Sequence, residues 1–269
     1  MKNILKIILV GVLTTFLRIM EQMLIPSGEQ TVLKSSIFVN NGSMPFMFTI
    51  YGIFAYSLIS SLFLIIRSQI KGSKIIQGLK YGIACSFIWS IYLLEPLPHV
   101  VPVDKITYPI ADSLALILMG ILSGALFGKQ GKVLSSKAGI KELMPLITIT
   151  VCFILGRLFQ YNILSIYSSY DTKTNQTIIW CIVTGFIIAC VMIWLNKCVY
   201  TKQKNIMLNT LIIGGLIFGL NLIFFNFFMP LVFDADIKDL FFRTVIDIIA
   251  VTIGCLTLNC NKTHNKDSV

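Results

Sequence analysis

Eight side chains carry the polar chemistry in this strongly apolar sequence: Arg18, Glu21, Glu95, Asp112, Arg157, Gln160, Arg243 and Asp247. Arg18 and Arg157 are each followed three residues later by a polar partner, Glu21 and Gln160, on the same face of a helix. Asp112 and Asp247 stand alone in apolar runs. An ionisable group in a membrane helix is costly unless it is paired or wetted, so these positions are functional candidates. A guanidinium fork suits a carboxylate and stabilises its charged form. The spacing therefore predicts that Arg18 meets Asp112 or Asp247, and that Arg157 meets the other. Such pairs can bridge helices structurally, or the arginines can snorkel to the headgroups. They can also line a pocket for a small charged solute or a lipid headgroup. Arg243 and Asp247 are four residues apart on one helix and could neutralise each other locally, which would leave Arg157 spare.

No catalytic signature accompanies these groups. His99 and His264 are the only histidines. Glu95 and His99 could form an acid–base or metal-ligand pair, but no third partner is evident. Nucleotide, metalloprotease and nucleophile-elbow motifs do not occur. The seven cysteines contain no CxxC and are odd in number, which suggests neither a disulfide framework nor a zinc site. No metal and no cofactor are expected. An enzyme acting on a lipid-linked substrate would have to use Asp112, Asp247 or Glu95 as acid–base groups.

The elements that must position these residues follow from composition. The chain of 269 residues is 56% hydrophobic and 13% charged, against roughly 25% charged in soluble domains. That balance excludes a soluble enzyme, a disordered tail and a secreted disulfide scaffold, and it makes the bilayer the first partner. A net charge of +10 raises nucleic acid as a partner, but the basic residues fall in short clusters between apolar runs, which argues against it. A span needs about 20 apolar residues. Eight runs qualify: Ile4–Ile25, Met47–Ile66, Ile76–Leu94, Ile106–Phe127, Leu143–Ile163, Thr177–Leu195, Ile206–Phe233 and Leu240–Leu258. The first resembles a signal peptide at its start, but Arg18 and Glu21 stand where a cleavage site would be, so it is expected to be retained.

Charge fixes the expected orientation. With the N-terminus inside, the inner segments hold Lys2, Lys6, Arg67, Lys71, Lys74, Lys80, Lys129, Lys132, Lys137, Lys141, Lys197, Lys202, Lys204, Lys262 and Lys266. Only Arg18, Lys34, Lys105, Arg157, Lys173, Lys238 and Arg243 remain on the outer side. This is the positive-inside pattern. The expected architecture is an all-α, polytopic plasma-membrane protein with eight spans and both termini cytoplasmic.

The two halves, 1–130 and 131–269, read alike. Each opens with a helix carrying an arginine near its outer end, followed by the longest outer loop of that half. The third helices open at Tyr81-Gly82 and Gly214-Gly215 and close at Pro96 and Pro230. The fourth carry Asp112 and Asp247, followed by Gly120 and Gly254. An even number of spans per half implies two repeats of the same orientation. Gly120, Gly124 and Gly128, and Gly215 and Gly219, repeat at four-residue spacing, as close helix packing requires. A hinge or a dimer face are the other uses of that spacing, and the sequence leaves the oligomeric state open. The long uncharged run 205–233 carries Asn209, Asn221 and Asn226, which are expected to bond between helices. The polar layer implies binding or transport of a small solute, ion or lipid headgroup. An outer-leaflet enzyme and a non-catalytic assembly, immunity or sensing protein are the alternatives.

Overall fold

The computed structural model describes residues 2–26, 28–129, 142–198 and 206–258. Lys132, Lys137, Lys141, Lys202, Lys204, Lys262, His264 and Lys266, and the expected boundary between the halves, lie outside those residues. Apart from one antiparallel bridge between Ser35 and Phe233, the regular structure described is helical. The helices are α1 (Lys2–Leu24), a short α2 (Ile37–Asn40), α3 (Met44–Ile66), α4 (Lys74–Leu93), α5 (Asp104–Phe127), α6 (Leu143–Asn162) and α7 (Thr174–Cys198). They continue with α8 (Ile206–Thr210), a π-helical stretch Leu211–Phe218, α9 (Gly219–Asn226), a short α10 (Met229–Val232) and α11 (Ile237–Cys255).

Among the described residues, seven helical runs are long and apolar enough to cross a membrane, with Met207–Val232 forming one of them. The chain is therefore a multi-pass integral membrane protein, and its outward apolar side chains, such as Phe16, Phe54, Leu155 and Ile179, face lipid. The eighth expected span, α4, is not among the seven. It has 20 residues, but Lys74, Gln77 and Lys80 dilute its first half. The physical reason lies in its position, since α4 packs on α5, α7 and α9 and buries Gln77, Tyr81, Ser86, Trp89 and Tyr92 among others. A helix facing protein on most sides need not be apolar all round.

α4 runs antiparallel to α5 over nearly its whole length. Lys74 lies against Gly128, Gly78 against Gly120 and Gly124, and Gly82 against Leu116 and Gly120. At the far end the Ser90 and Ser113 hydroxyls are 2.8 Å apart. A Cβ at Gly120 or Gly124 would collide with backbone of α4, so these glycines let the two backbones touch. The second-half glycines differ. Gly219 meets only the Ile248 side chain, Gly215 has nothing closer than 3.9 Å, and the close approach falls on Gly214, whose Cβ would lie 2.9 Å from the Thr252 Cα.

Within the first half α1 packs on α3 and α5, and α4 on α5. Within the second α6 packs on α7 and α11, and the π-helical stretch and α9 pack on α11. Between halves, α4 touches α7 and α9, and α3 touches α9. The run 205–233 is not one straight helix: its π-helical stretch and the turn at Phe227–Phe228 take up length that a span does not need. Asn209 donates to Asn196 at 2.7 Å and Asn226 to Thr244 at 2.8 Å, both across helices. Asn221 instead donates to the Ile217 carbonyl on its own helical run.

Loops 25–43, 94–103, 163–173 and 233–236 gather at one end of the bundle. There the first half is strapped to the second, because Ser36 N–H donates to the Val232 carbonyl at 3.0 Å, Asp234 N–H to the Lys34 carbonyl at 2.9 Å, and Ser36 Oγ to the Leu231 carbonyl at 2.6 Å.

Candidate functional site

Beneath that strap lies a cavity of about 570 Å³. Its roof is made by Gly28, Gln30, Leu97, Val100 and Phe233, and its walls by side chains of α1, α3, α4, α5, α9, α10 and α11. Aromatic rings dominate the walls: Phe48, Tyr51, Tyr56, Trp89, Phe225 and Phe228. Tyr56 follows Met44 by twelve residues on α3, about 18 Å of helix, so the cavity reaches roughly half the ~30 Å depth of a hydrocarbon core. Four of the eight polar residues singled out in the sequence line it: Arg18, Glu95, Asp112 and Arg243. Arg157, Gln160 and Asp247 are enclosed behind it at 0% exposure. Glu21, one helical turn from Arg18, does not line it.

Seven of the eight residues assemble into two networks, and Glu21 stands beside the first. In the first, Arg18 Nε donates to Asp112 Oδ1 at 2.6 Å and Nη1 to Gln22 Oε1 at 3.0 Å. Among the described residues, no hydrogen bond is made by Arg18 Nη2, by Asp112 Oδ2 or by the Tyr56 hydroxyl. Glu21 Oε2 is buried without a partner.

The second network is nearly saturated. Arg157 Nη2 donates to Asp247 Oδ2 at 2.7 Å and Nη1 to Glu95 Oε1 at 3.1 Å. Gln160 Nε2 donates to Asp247 Oδ1 at 2.7 Å, and the Tyr92 hydroxyl to Asp247 Oδ2 at 2.9 Å. Arg243 Nη1 donates to Glu95 Oε2 at 2.8 Å and its Nη2 to the Tyr167 carbonyl. Arg157 also sits in an aromatic box, 4.8 Å from the Trp180 ring centroid, with Tyr92 at 5.4 Å and Phe153 at 5.5 Å. Ring faces hold a desolvated cation favourably. In energetic terms this is a caged ion quartet.

The two cross-helix arginine–aspartate pairs are those the spacing predicts. The local Arg243–Asp247 pair is not formed. Asp247 is taken by Arg157, Gln160 and Tyr92, while Arg243 turns towards Glu95 and reaches Asp239, also four residues away, only at 4.0 Å. Arg157 is thus not spare. Its second carboxylate is Glu95, and Glu95 bridges both guanidiniums because α4 ends, before Pro96, between α6 and α11.

The Glu95–His99 pair is likewise absent. His99 Nδ1 lies 3.1 Å from the Tyr167 hydroxyl, and its ring stacks on Tyr167 at 5.7 Å. Partial burial and, secondarily, the neighbouring Arg243 charge push its pKa down to about 4. No group of three His, Cys, Asp or Glu residues capable of holding a metal occurs among the described residues.

Sequence reasoning missed Tyr56, Tyr92, Trp89 and Trp180. Aromatic residues in an apolar run read as packing, and only their cross-helix partners mark them out. Trp180 Nε1 donates to the Ile91 carbonyl at 2.8 Å, and the Tyr51 hydroxyl to the Phe224 carbonyl at 2.8 Å.

Comparison with protein-family models, with curated proteins and with solved structures finds no match for this chain.

Proposed function

We propose that this protein binds a polar-headed ligand within the membrane, in the cavity between two fused four-helix repeats, each of four spans. The observation that carries the reading is the cavity itself: about 570 Å³, apolar and aromatic on its walls, with Arg18, Asp112, Glu95 and Arg243 at its polar edge. Ligand sites typically combine such a volume and apolar lining with a few placed polar groups.

The repeat reading is supported by neighbour relations that survive exchange of the halves. The exchange carries α1/α3, α1/α5 and α4/α5 onto α6/α7, α6/α11 and the π-helical run with α11. It also carries α3/α9 onto α7/α4. Hydrogen bonds follow the same exchange. Tyr51 on α3 donates to the Phe224 carbonyl and Trp180 on α7 to the Ile91 carbonyl. Ile91 and Phe224 stand equally far beyond Gly82 and Gly215. Counting α4 as the eighth span is supported by its antiparallel course along α5 through the same depth. Eight spans put both termini on one side, and the lysine distribution puts that side in the cytoplasm of a plasma-membrane protein. The cavity then faces the outer leaflet.

Native mass spectrometry of the protein released from gentle detergent tests the reading. A lipid or small metabolite retained by the wild type and lost in Arg18→Gln/Asp112→Asn supports it. Retention unchanged by that double substitution, or nothing retained at all, refutes it. A co-purifying protein with an empty cavity would favour an assembly role instead.

A further inference from the structure

The two networks are unequal in a way that identifies what the cavity reads, and the argument rests on the binding and repeat readings above. Under the repeat correspondence, the residues that saturate Asp247 have counterparts that cannot saturate Asp112. Tyr92, which donates to Asp247, corresponds to Phe225, which has no hydroxyl. Gln160, which donates to Asp247, corresponds to Glu21, whose Oε2 is buried without a hydrogen-bond partner. Glu95, the second carboxylate on Arg157, corresponds to Phe228. Phe225 and Phe228 both line the cavity. The same architecture is sealed in one half and open in the other.

We infer that the Arg18–Asp112 bridge is the ligand-reading end of the cavity, and that its ligand is a zwitterionic head, an oxyanion with an ammonium a few bonds away. Arg18 Nη2 and Asp112 Oδ2 flank a single 2.6 Å contact, offering a charged donor and a charged acceptor side by side. Arg18 Nη2 takes the oxyanion, Asp112 Oδ2 takes the ammonium, and the Tyr56 hydroxyl completes the oxyanion's hydrogen bonds. The bridge is neutral as it stands, so a ligand of net charge would leave an uncompensated charge in a site of low dielectric. A zwitterion does not. The Tyr56 and Trp89 rings, stacked at 6.2 Å, and the nearby Tyr51 and Phe228 add ring faces that favour an ammonium over a hydroxyl. The deeper part of the wall, among Phe48, Tyr51, Ala55, Trp89, Phe225 and Phe228, is mainly apolar and long enough to hold the upper part of an acyl chain. The same head chemistry exists on a membrane aminophospholipid and on a free glycerophosphodiester of the same amine.

The test is titration of the delipidated protein, followed by native mass spectrometry, with four probes: phosphatidylethanolamine, free glycerophosphoethanolamine, phosphatidylglycerol and a neutral diglucosyl lipid. Phosphatidylethanolamine bound in preference to the last two supports the inference. If free glycerophosphoethanolamine, whose phosphodiester keeps the head neutral overall, competes equally, the soluble zwitterion is the ligand; if it does not, the lipid is. Tyr56→Phe should bind roughly tenfold more weakly, the worth of one hydrogen bond to a charged group, at an unchanged melting temperature. Gln160→Leu, in the sealed half, should lower the melting temperature and leave affinity alone. Preference for phosphatidylglycerol or the glycolipid overturns the zwitterion and leaves the cavity reading standing. Affinity lost in Gln160→Leu but not in Tyr56→Phe overturns the assignment to the first half. No binding of any probe, together with no ligand retained from cells, overturns the proposed function itself.

Discussion

Asp247→Asn separates a caged ion quartet from a hydrated bridge. The quartet holds two guanidiniums, Arg157 and Arg243, against two carboxylates, Glu95 and Asp247. The substitution is nearly isosteric, and its new amide N–H₂ would face the Gln160 Nε2 donor. That conflict is relieved by flipping Gln160, whose Oε1 is buried without a partner. What remains is charge, since two guanidiniums must share Glu95 alone with Arg157 at 0% exposure. Removing one partner of a buried pair costs roughly 3–5 kcal/mol. At about 2–4 °C per kcal/mol for chains of this size, the melting temperature should fall by roughly 6–20 °C. Asp112→Asn removes the same carboxylate from a bridge whose remaining guanidinium lines an open cavity. Water can enter that cavity while no ligand fills it, so the surviving guanidinium keeps part of its solvation and the loss should be clearly smaller than at Asp247.

The second arm of the cycle removes Arg157 and Asp247 together, as Arg157→Met with Asp247→Leu. It leaves Arg243 paired with Glu95, one charge against one, so much of the loss should return. The assay is thermal unfolding in nanodiscs, followed by tryptophan fluorescence, to which Trp180 reports directly because it lies 4.8 Å from the Arg157 guanidinium. Equal losses for Asp112→Asn and Asp247→Asn, or a double substitution no better than Asp247→Asn, would refute the distinction between sealed and open halves.

Three further outcomes follow from the geometry. Gly120→Val should prevent assembly of α4 against α5, because its Cβ would collide with the Gly78 backbone, whereas Gly215→Ala, with nothing nearer than 3.9 Å, should express and melt as the wild type. In a cysteine-free background, single cysteines placed in 28–43 and 164–173 should react with an impermeant thiol reagent on intact cells and cysteines at 68–73 should not; external labelling at Lys71→Cys would remove the eight-span topology. The His99 pKa is held at about 4 in the folded protein, while an unfolded His titrates near 6.5. The unfolded chain therefore binds the extra proton first as pH falls, so stability should decline from about pH 6.5 down to about pH 4 and level off below it. His99→Asn should flatten that part of the melting profile, and an unchanged slope would show that His99 is not its source.

The parts of the fold that could be read from the sequence were those set by composition. Apolar runs of membrane length and isolated charges within them are local signals, and seven of the eight runs correspond to helices that can cross a bilayer. The arginine–aspartate pairing was also legible, because a charge in hydrocarbon has few places to go. α4 was harder to judge. It buries more than half of its residues against α5, α7 and α9, so the apolarity that marks a lipid-facing span is relaxed on that side. The partner of Arg243 could not be read either. Spacing of i, i+4 on a helix permits Arg243–Asp247, but Asp247 is engaged by Arg157, Gln160 and Tyr92 and Arg243 by Glu95 and the Tyr167 carbonyl, and that engagement is a matter of tertiary approach.

Tyr92 and Phe225 show why the site itself was less legible than the charges. In sequence they are two aromatic residues in two apolar helices, and each packs like its neighbours. Their difference is one hydroxyl. In the second network that hydroxyl, supplied by the first half, donates to Asp247 and, with Gln160, turns a charged pair into a sealed strut. In the first network Phe225 has no hydroxyl to give and Glu21 makes no bond to Asp112, which leaves Asp112 with Arg18 as its partner and a cavity beside it. A buried ion pair that is fully hydrogen-bonded resists change, whereas one with free valences beside a cavity invites a ligand to complete it. On the repeat proposed above, one plan supplies both states: the sealed network provides the rigid wall against which the open one can bind.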